Sequence, residues 1–404
     1  MSLARWRWDA AAESTRLLFG SSSFATYPGG MRIVVLGAGF GGLELAAVLS
    51  DEFGEDLDLT LIDAADSFIF GFSKLDVVFG RQTPAAVRTS YSQLNKPGVR
   101  FVQDRVVAID PETRVTRTEG GEYPADILVI ALGANIHPEA TPGLVEGGHE
   151  FYSIPGAFAL RDVMADFAGG KVVVGVCSTP FKCPPAPSES VLLTHDYLTE
   201  RGLRDQSEIT LVMPFGRPVP PSPDASAALM TAFAERDIRF IPKTVVRSVD
   251  PKRRVAVTAD GDELSFDLFL GIPTHRVPDV VAASGMTEDG WIPVDPLTME
   301  TKFPGVYALG DCTSVGTPKA GVFSEGQAKT AAARIADVLR DEQPQAEYDG
   351  HGICYVEFGH GSVAKVDVTF MAGQRPVGGI VGPSPDFLAD KDEFGSSRLY
   401  RWFG

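Results

Sequence analysis

Short, continuous runs of aliphatic residues recur along the chain, and most of them end at a glycine or an acidic residue. Residues 31–36 form one run that leads directly into a glycine-rich turn, and residues 59–63 form another that ends at Asp63. Similar runs lie at residues 126–133, 171–176, 208–213 and 305–311. Runs of this length without polar alternation are typical of buried parallel strands, and the amphipathic segments between them are typical of helices. The pattern therefore predicts an α/β fold.

The turn after the first run carries the spacing of a dinucleotide-binding fingerprint. Gly37 permits a tight turn, Gly39 lets a pyrophosphate approach the backbone, and Gly42 lets the following helix pack closely against the strand. Asp63 lies 21 residues after Gly42, where an acidic side chain hydrogen-bonds a ribose 2′-hydroxyl. A lone glycine motif is a weak signal, and a chance glycine-rich turn is the alternative. Here strand, glycines, amphipathic helix over 43–53, second strand and acid occur in order, which predicts a nucleotide-binding domain.

A second half of this kind begins at residues 171–176, but its glycines are missing. With Gly175 in the first glycine position, the fingerprint requires glycine at 177 and 180, where the chain has Cys177 and Pro180. A side chain at the second position obstructs a pyrophosphate, and proline removes a backbone donor. The partner run at 208–213 also ends without an acid. We therefore expect a second Rossmann-like domain that keeps the fold but is degenerate as a nicotinamide site.

The run at 305–311 ends in Gly310 and Asp311, and Lys319 and an alanine-rich helix up to Leu339 follow it. This segment resembles the second FAD motif of flavoproteins with two dinucleotide-binding domains. The resemblance implies that Asp311 binds the ribityl chain, and that Lys319 and the helix N-terminus lie near the N1/O2 edge of the flavin. An ordinary strand and helix with a surface Asp and Lys is the alternative.

Residues 126–133 resemble the Ala-Thr-Gly segment of the same flavoproteins, although Leu132 replaces the usual threonine. The residues expected to contact FAD are Gly37, Gly39, Phe40, Gly42, Asp63, Val106, Gly133, Gly310, Asp311 and Lys319. No cysteine precedes Cys177, so a covalent flavin–cysteine bond is not expected. We expect FAD to be bound non-covalently and released by denaturation.

The chain has four cysteines, which allow three complete disulfide pairings, and the sequence alone does not choose among them. Taken by themselves, they are expected to be buried core thiols, the common environment of a free cysteine. The segments Phe181-Lys-Cys183-Pro-Pro-Ala-Pro-Ser-Glu189 and Gly352-Ile-Cys354-Tyr, however, resemble the redox-cysteine segments of a flavoprotein family. That family comprises the sulfide:quinone oxidoreductases and the flavoprotein subunit of flavocytochrome c sulfide dehydrogenase. With both FAD motifs, the resemblance covers residues 31–404.

The resemblance implies a disulfide or trisulfide between Cys183 and Cys354 against the flavin. Hydrosulfide is a two-electron donor, and a disulfide offers it an electrophilic sulfur. In this family pattern Cys354 passes the electron pair, Cys183 carries the sulfur chain and Glu189 moves protons; a helix N-terminal charge is the alternative for Glu189. Lys182 is the cation expected to lower the pKa of the neighbouring thiol. The other two cysteines are expected to serve packing: Cys177 and Cys312.

The 404 residues, 44% of them hydrophobic, suffice to bury two substantial cores. Stretches rich in proline and glycine around 138–148 and 285–296 mark the expected boundaries. The expected units are an FAD-binding domain at 31–140 and 285–345, a second Rossmann-like domain at 141–284 with the first redox cysteine, and a C-terminal domain at 346–404 with the second. Residues 1–30 resemble neither a secretory signal nor a twin-arginine leader. They are expected to be disordered or to precede the true start.

The formal net charge of −17 disfavours nucleic acid as a partner and gives no general attraction to an anionic bilayer. No window approaches 18 uncharged apolar residues, so no transmembrane helix is predicted. Quinone chemistry nevertheless requires contact with lipid. Aromatic and basic residues suited to an interface mix near the end of the chain, and a docked tail is the alternative: Phe387, Phe394, Tyr400, Trp402, Phe403, Lys391, Arg398 and Arg401. A cytoplasmic protein, peripheral on the cytoplasmic face of the membrane, is expected.

The six histidines show no metal-binding spacing, so no metal site is expected. His195 and Asp196 are expected at the solvent edge of an amphipathic helix. Taken with the resemblance, the sequence implies an FAD-dependent oxidoreductase that oxidises sulfide or a persulfide through the cysteine pair and reduces a membrane quinone. The alternatives are a type II NADH:quinone dehydrogenase and a non-enzymatic flavin/thiol redox sensor. A homo-oligomer is left open.

Overall fold

The computed structural model describes residues 30–404, so the expectation for residues 1–30 falls almost entirely outside the described residues. The strands are, in chain order, β1 (Arg32–Leu36), β2 (Asp58–Asp63), β3 (Ser67–Phe68), β4 (Thr89–Ser90), β5 (Val99–Gln103), β6 (Val106–Asp110), β7 (Val115–Thr118), β8 (Glu122–Pro124), β9 (Ile127–Ile130), β10 (Asn135–His137), β11 (Lys171–Val176), β12 (Glu208–Val212), β13 (Ile238–Ile241), β14 (Val246–Asp250), β15 (Val255–Thr258), β16 (Glu263–Ser265), β17 (Leu268–Ile272), β18 (Thr274–Arg276), β19 (Val306–Ala308), β20 (His351–Gly359), β21 (Ser362–Thr369) and β22 (Val377–Ser384). The helices are α1 (Phe40–Phe53), α2 (Ser73–Val78), α3 (Leu144–Gly147), α4 (Ile154–Asp166), α5 (Ala186–Glu200), α6 (Pro223–Glu235), α7 (Asp279–Ala282), α8 (Gly321–Leu339) and α9 (Asp386–Phe403).

The first parallel sheet has five strands in the order β19-β9-β1-β2-β5. Ile33 and Val35 of β1 face a core that α1 and α8 complete, whereas Val34 and Leu36 face a second core on the opposite side. Because both faces of the strand are buried, its sequence has no polar alternation. Because the strands are parallel, their carboxyl ends lie along one edge of the sheet. The glycine turn after β1 and Asp311 after β19 are both at this edge.

The second parallel sheet has four strands in the order β13-β12-β11-β17. Val172 and Val174 of β11 face a core with α4, α5 and α6, and Val173 faces a smaller core with β14 and β15. The predicted fold class, α/β with two Rossmann-like sheets, is therefore confirmed. The antiparallel pair of β10 and β18 lies where the chain crosses between the two sheets.

The predicted domain boundaries stay a prediction. The end of the second Rossmann-like unit, expected at residue 284, fits the packing better if it is placed earlier in the chain. Val277 and Val281, which the division assigned to the second domain, pack in the core of the first sheet. The packing therefore favours an end of the second unit near β18 and not at residue 284.

The C-terminal residues form an antiparallel sheet, β20-β21-β22, followed by α9. Val356 of β20 and Val366 of β21 join the core of the second sheet, while Trp402 of α9 joins the core of the first. The C-terminal unit thus packs against both Rossmann-like units. No helix within residues 30–404 is long and apolar enough to cross a membrane.

Helix α9 is docked on the protein by its aromatic and basic residues. The Trp402 indole is fully buried and donates a hydrogen bond to Glu44 Oε2 at 2.6 Å. Arg401 pairs with Glu44 and Glu325, and Arg398 Nε lies 2.7 Å from Glu325 Oε2. Arg398, Arg401 and Trp402 therefore pack on the protein, as the alternative of a docked tail predicted. Of the residues expected at a lipid interface, Tyr400 is the exposed one.

Candidate active site

The glycine turn between β1 and α1 is shaped by two contacts too close for any side chain. Gly37 has a positive φ of 100°, and a Cβ on it would lie 2.4 Å from the Ala131 carbonyl oxygen. A Cβ on Gly42 would lie 1.9 Å from the Gly37 carbonyl oxygen. Gly39 differs, because no atom lies within 4 Å of its Cβ position and the residue lines a cavity. The turn thus closes tightly on the strand side and leaves its backbone open on the cavity side.

Asp63 ends β2 beside this turn. Its Oδ2 accepts a hydrogen bond from the Ala38 backbone at 2.7 Å, and its Oδ1 accepts one from Ala65 at 2.8 Å. The carboxylate therefore fastens the turn and also lines the cavity. Its contact with a ribose hydroxyl stays a prediction.

Asp311 lies in a tight turn, Gly310–Cys312, directly after β19. Burial raises the pKa of Asp311, while the charges of Lys182, Lys319 and Lys74 act in the opposite direction. Its buried Oδ1 has no hydrogen-bond partner within the protein. A buried carboxylate oxygen without a partner, at a cavity wall, fits the hydroxyl of a ribityl chain.

Lys319 is held next to Asp311 by the backbone. Its Nζ donates hydrogen bonds to the carbonyl oxygens of Asp311 at 2.7 Å and Thr313 at 3.1 Å, and lies 3.3 Å from the centre of the Trp291 ring. Burial lowers the pKa of Lys319 to about 8. A cation fixed in this position suits a cofactor whose reduced form is an anion.

These residues surround a cavity of about 450 Å³, called here the FAD cavity. Ten of the thirteen predicted site residues line it: Gly39, Phe40, Asp63, Gly133, Cys183, Glu189, Gly310, Asp311, Lys319 and Cys354. Gly37 and Gly42 shape its turn from behind. Val106 is not part of the lining; it pairs with Thr118 and packs against the second core of the first sheet, the one that Val34 and Leu36 face. The open glycines, the unpartnered Asp311 oxygen and the buried lysine together fit FAD.

Cys183 lies just before α5 in a left-handed backbone conformation, with φ at 49°. Its amide donates to the Lys319 carbonyl oxygen at 2.7 Å, and its own carbonyl accepts from Ala186 at 2.9 Å. A side-chain-bearing residue in this conformation is unusual, and such residues concentrate at functional sites. The backbone thus ties the thiol of the second unit to the FAD motif of the first.

Cys183 and Cys354 line the FAD cavity together, and both also line a second, larger cavity of about 960 Å³. This apolar cavity is walled by prolines and by residues such as Phe215, Val366 and Phe370. All four cysteines lie within the described residues, and each is a free thiol. The proposed disulfide therefore stays a prediction, while the two thiols do lie at one wall between two cavities.

The two thiols are accessible from the cavities, yet the protein around them disfavours the thiolate. Burial, followed by the charge of Glu189, raises the pKa of Cys183 well above its usual range and that of Cys354 to about 12. The expectation that Lys182 lowers the Cys183 pKa is wrong, because Lys182 Nζ points to the Ala134 carbonyl oxygen at 2.9 Å. The cation that acts on Cys183 is Lys74, at the start of α2.

Glu189 is buried in the first turn of α5 and lines both cavities. Its Oε1 accepts a hydrogen bond from the Glu357 amide at 3.0 Å. Burial raises its pKa to about 7. Such a carboxyl exchanges protons near neutral pH, which an exposed helix N-terminal charge does not do.

Glu357 and its partners form a buried ionic network that the sequence did not reveal. Burial acts to raise the Glu357 pKa, but hydrogen bonds from Arg81 and the charge of Lys391 hold it below the ordinary value. Arg81 also pairs with Asp76 at 2.8 Å. Arg81 and Lys391 thus anchor the side chain of the residue whose amide donates to Glu189. No local motif marks these residues, since they come from three separate segments.

The second glycine loop departs from the prediction by two residues. Gly175 lies inside β11, where Val246 and Phe269 fill the space beside it. The position directly after the strand, equivalent to Gly37, is Cys177. Burial raises the pKa of this thiol to about 12 and it is half-buried beside the smaller core, as expected for packing. The loop lacks its glycines in either alignment.

Cys312 also behaves as a packing residue. It is fully buried in the core behind the first sheet, and its Sγ donates to the Leu309 carbonyl oxygen at 3.3 Å. Burial raises the pKa of its thiol to about 12. It does not line either cavity that Cys183 and Cys354 share.

Two parallel dinucleotide-type sheets and one cavity fitted to FAD define a flavin-dependent oxidoreductase class. Residues 31–334 match the family model described as pyridine nucleotide-disulphide oxidoreductase. The chain belongs to this family, and FAD is its cofactor.

Known proteins are similar to this chain over most of its length. It is 25% identical over 356 residues to the mitochondrial sulfide:quinone oxidoreductase of Mus musculus, covering 84% of this chain and 78% of the mouse protein. The crystal structure of the sulfide:quinone oxidoreductase of Aquifex aeolicus superposes with a TM-score of 0.81 at 20% identity, covering 92% of this chain and 91% of that one. NDH2 of Plasmodium falciparum in complex with NADH superposes with a TM-score of 0.71 at 12% identity, covering 92% and 97%.

Proposed function

We propose that the protein oxidises sulfide or a persulfide through Cys183 and Cys354 and transfers the electron pair by way of FAD to a quinone. The observation that carries the proposal is that both cysteines and Glu189 line the FAD cavity and the apolar cavity at once. A small sulfur donor in the apolar cavity would meet the thiol pair before it could meet FAD. The names of the mouse and Aquifex proteins support sulfide and quinone as the substrates.

The chemistry starts from a Cys183–Cys354 disulfide. Hydrosulfide attacks the Cys183 sulfur, so that a new S–S bond forms there and the bond to Cys354 breaks, leaving a Cys354 thiolate. Joining the added sulfur to Cys354 then gives a trisulfide. In balance, one disulfide and one hydrosulfide become one trisulfide, one proton and an electron pair. FAD, when bound, supplies the two-electron acceptor for that pair.

The proton and the persulfide formed on Cys183 each have a partner in the chain. Glu189, with its pKa raised by burial to about 7, accepts the proton that hydrosulfide loses. Lys74 is the cation that acts on Cys183, and it would offset the negative charge left on the persulfide there. Because burial raises the pKa of both thiols, the resting pair is favoured in its uncharged forms, and the thiolate exists only while the reaction creates it.

The proposal places the quinone at a separate entrance. Tyr355 and Phe394 line the FAD cavity and also a polar groove of about 690 Å³ beside α9. Lys329 and Arg398 in the groove are donors suited to a quinone carbonyl oxygen. The sulfur substrate, which donates the electrons, and the quinone, which accepts them, would thus reach FAD from different sides. The hydrosulfide would not compete with the quinone for space.

The NADH dehydrogenase alternative has the fold in its favour, as the likeness to NDH2 indicates. The second loop argues against it, because Cys177 stands where the first glycine belongs and Pro180 follows in the same loop. Membership of an oxidoreductase family favours an enzyme over the non-enzymatic redox-sensor alternative.

Anaerobic titration of the FAD-loaded protein with sulfide, and separately with NADH, tests the proposal through the flavin absorbance. We expect sulfide to bleach the flavin in the wild type and in the matched control Cys177→Ser, but not in Cys183→Ser or Cys354→Ser. Oxidation of the reduced protein by a soluble quinone should follow. Bleaching by NADH and not by sulfide would overturn the proposal, and reduction without quinone turnover would leave the sensor.

A further inference from the structure

Helix α5 and the turn after β20 bring together three side chains that the sequence keeps far apart. His195 and Asp196 lie on α5, and His360 lies in the turn between β20 and β21. Asp196 Oδ1 is 3.2 Å from His195 Nδ1 and 3.2 Å from His360 Nε2. One ligand atom from each residue lies within 4.8 Å of the others. The expectation that His195 and Asp196 mark a solvent edge is therefore wrong, since both side chains are only 13% exposed.

The turn is fitted closely to Asp196. The His360 amide donates a hydrogen bond to Asp196 Oδ2, and a Cβ on Gly359 would lie 2.4 Å from the same oxygen. His360 has a positive φ of 51°, so the turn sets the direction in which its Cα–Cβ bond leaves the backbone. Its side chain is 57% exposed, which leaves the cluster open to solvent on one side.

Two imidazoles and one carboxylate form a ligand set common to divalent transition-metal sites. In a tetrahedral Zn²⁺ site with bonds near 2.0–2.1 Å, neighbouring ligand atoms lie about 3.3 Å apart. The two distances from Asp196 Oδ1 match that spacing. The same distances also suit hydrogen bonds from protonated rings to the carboxylate, so a metal ion and ring protons compete for one position.

The charged groups around the cluster both oppose and favour a cation. Arg204 and Arg236 lie near enough for their charges to act on His195, and they weaken the attraction for a cation. Asp196 supplies the compensating negative charge within the cluster.

We propose that His195, Asp196 and His360 bind a divalent transition-metal ion of the Zn²⁺ type, with water completing its coordination on the exposed side. The ion would join α5 to the turn after β20. Helix α5 follows Cys183 and carries Glu189, and β20 carries Cys354, so the ion would fasten together the two elements that hold the thiol pair. This site lies outside both cavities that the cysteines line.

Calorimetric titration of the FAD-loaded protein with Zn²⁺ tests the site. The titration is made in the Cys183→Ser background, because a reduced thiol pair also binds Zn²⁺. We expect one ion per chain. We expect His360→Asn and Asp196→Asn to weaken binding by at least about tenfold, because losing even a residue that only hydrogen-bonds to a metal ligand costs about that much. Asparagine at 360 tolerates the left-handed backbone, so the turn keeps its shape.

The matched control is His351→Ala, which removes an exposed histidine that pairs with Asp367 outside the cluster. It should bind Zn²⁺ like the parent, and Zn²⁺ should raise the unfolding midpoint of both. In His360→Asn the same addition should raise the midpoint less than in the parent. Equal affinity in the parent and His360→Asn, or no binding in either, would overturn the proposal.

Discussion

At the scale of single residues, the candidate site depends on groups whose pKa the fold has displaced. Burial raises the pKa of Glu189 to about 7, and it raises the pKa of Cys354 to about 12. A carboxyl that titrates near neutrality suits the proposed role of Glu189, which is to accept the proton that hydrosulfide loses. The thiols themselves stay uncharged until a bond to sulfur breaks.

Replacement of Glu189 by glutamine tests this role. We expect Glu189→Gln to lower the rate of sulfide oxidation by roughly 100-fold, the ordinary contribution of a positioned acid or base. Below its pKa of about 7 the wild-type carboxyl is already protonated and cannot accept a proton. The ratio of wild-type to variant rates should therefore rise with pH through about 7. The ionisation of hydrogen sulfide with pH changes both rates equally, so its effect cancels in this ratio.

The control is Glu139→Gln, which changes an exposed carboxylate that pairs with His137. Its rates should follow those of the wild type at every pH. A flat ratio of wild-type to Glu189→Gln rates across this range would mean that Glu189 does not carry the proton.

At the scale of elements, the turn from β1 into α1 depends on a contact that admits no side chain. A Cβ at Gly42 would lie 1.9 Å from the Gly37 carbonyl oxygen, so Gly42→Ala must push α1 away from the strand. We expect this variant to retain little FAD after gel filtration, measured as the ratio of flavin to protein absorbance. Gly121→Ala is the control, since no atom lies within 4 Å of its Cβ position. Full FAD retention by Gly42→Ala would contradict the close packing.

The docking of α9 supports a second prediction at this scale. Trp402 is fully buried, and its Nε1 donates to Glu44, which α1 contributes. Trp402→Ala should lower the free energy of unfolding by about 3–5 kcal/mol, the usual cost of removing a buried aromatic side chain. Tyr400→Ala, two residues earlier and 79% exposed, should change it little. Thermal unfolding of both variants measures the difference, and a small effect in Trp402→Ala would mean that α9 is not anchored there.

The sequence predicted those parts of the site that local motifs encode. The glycine turn, Asp63 and Asp311 sit at strand ends, and the ends of parallel strands meet at one edge, so their spacing alone brings them to one cavity. Lys182 shows the limit, because adjacency to Cys183 does not fix the direction of its side chain. Lys74 reaches the same cavity from a separate helix without any motif.

Contacts between distant segments could not be read from the chain. His360 approaches Asp196 across 164 residues, and Glu357 meets Arg81 across 276. Within the C-terminal sheet the Cys354 segment resembles a known motif, but Glu357 and His360 lie beyond that segment. Such pairs depend on how the units dock, which is a property of the packed surfaces and not of local periodicity.

At the scale of the whole molecule, the exposed large hydrophobic residues concentrate in the C-terminal unit. Val377, Val381, Leu388 and Tyr400 are four of the seven among the described residues, and they lie within 24 positions of one another. Val377 also stands at the wall of the apolar cavity. Trp402 and Phe403 are buried, so we expect these exposed residues of the C-terminal unit, in place of those two, to make the contact with lipid that a membrane quinone requires.

The double variant Val381→Ser/Leu388→Ser tests this surface and rests on the proposed quinone reaction. Because the net charge is −17, vesicles of zwitterionic phosphatidylcholine are the suitable probe. We expect the variant to bind these vesicles more weakly and to lose turnover with a long-tailed quinone dissolved in them. Turnover with a short-chain, water-soluble quinone should persist, since the FAD cavity is untouched. Val145→Ser, which changes a valine 62% exposed elsewhere, should behave like the wild type in both assays. Equal losses with both quinones would place the defect in the chemistry, and no loss with either would show that lipid contact lies on another surface.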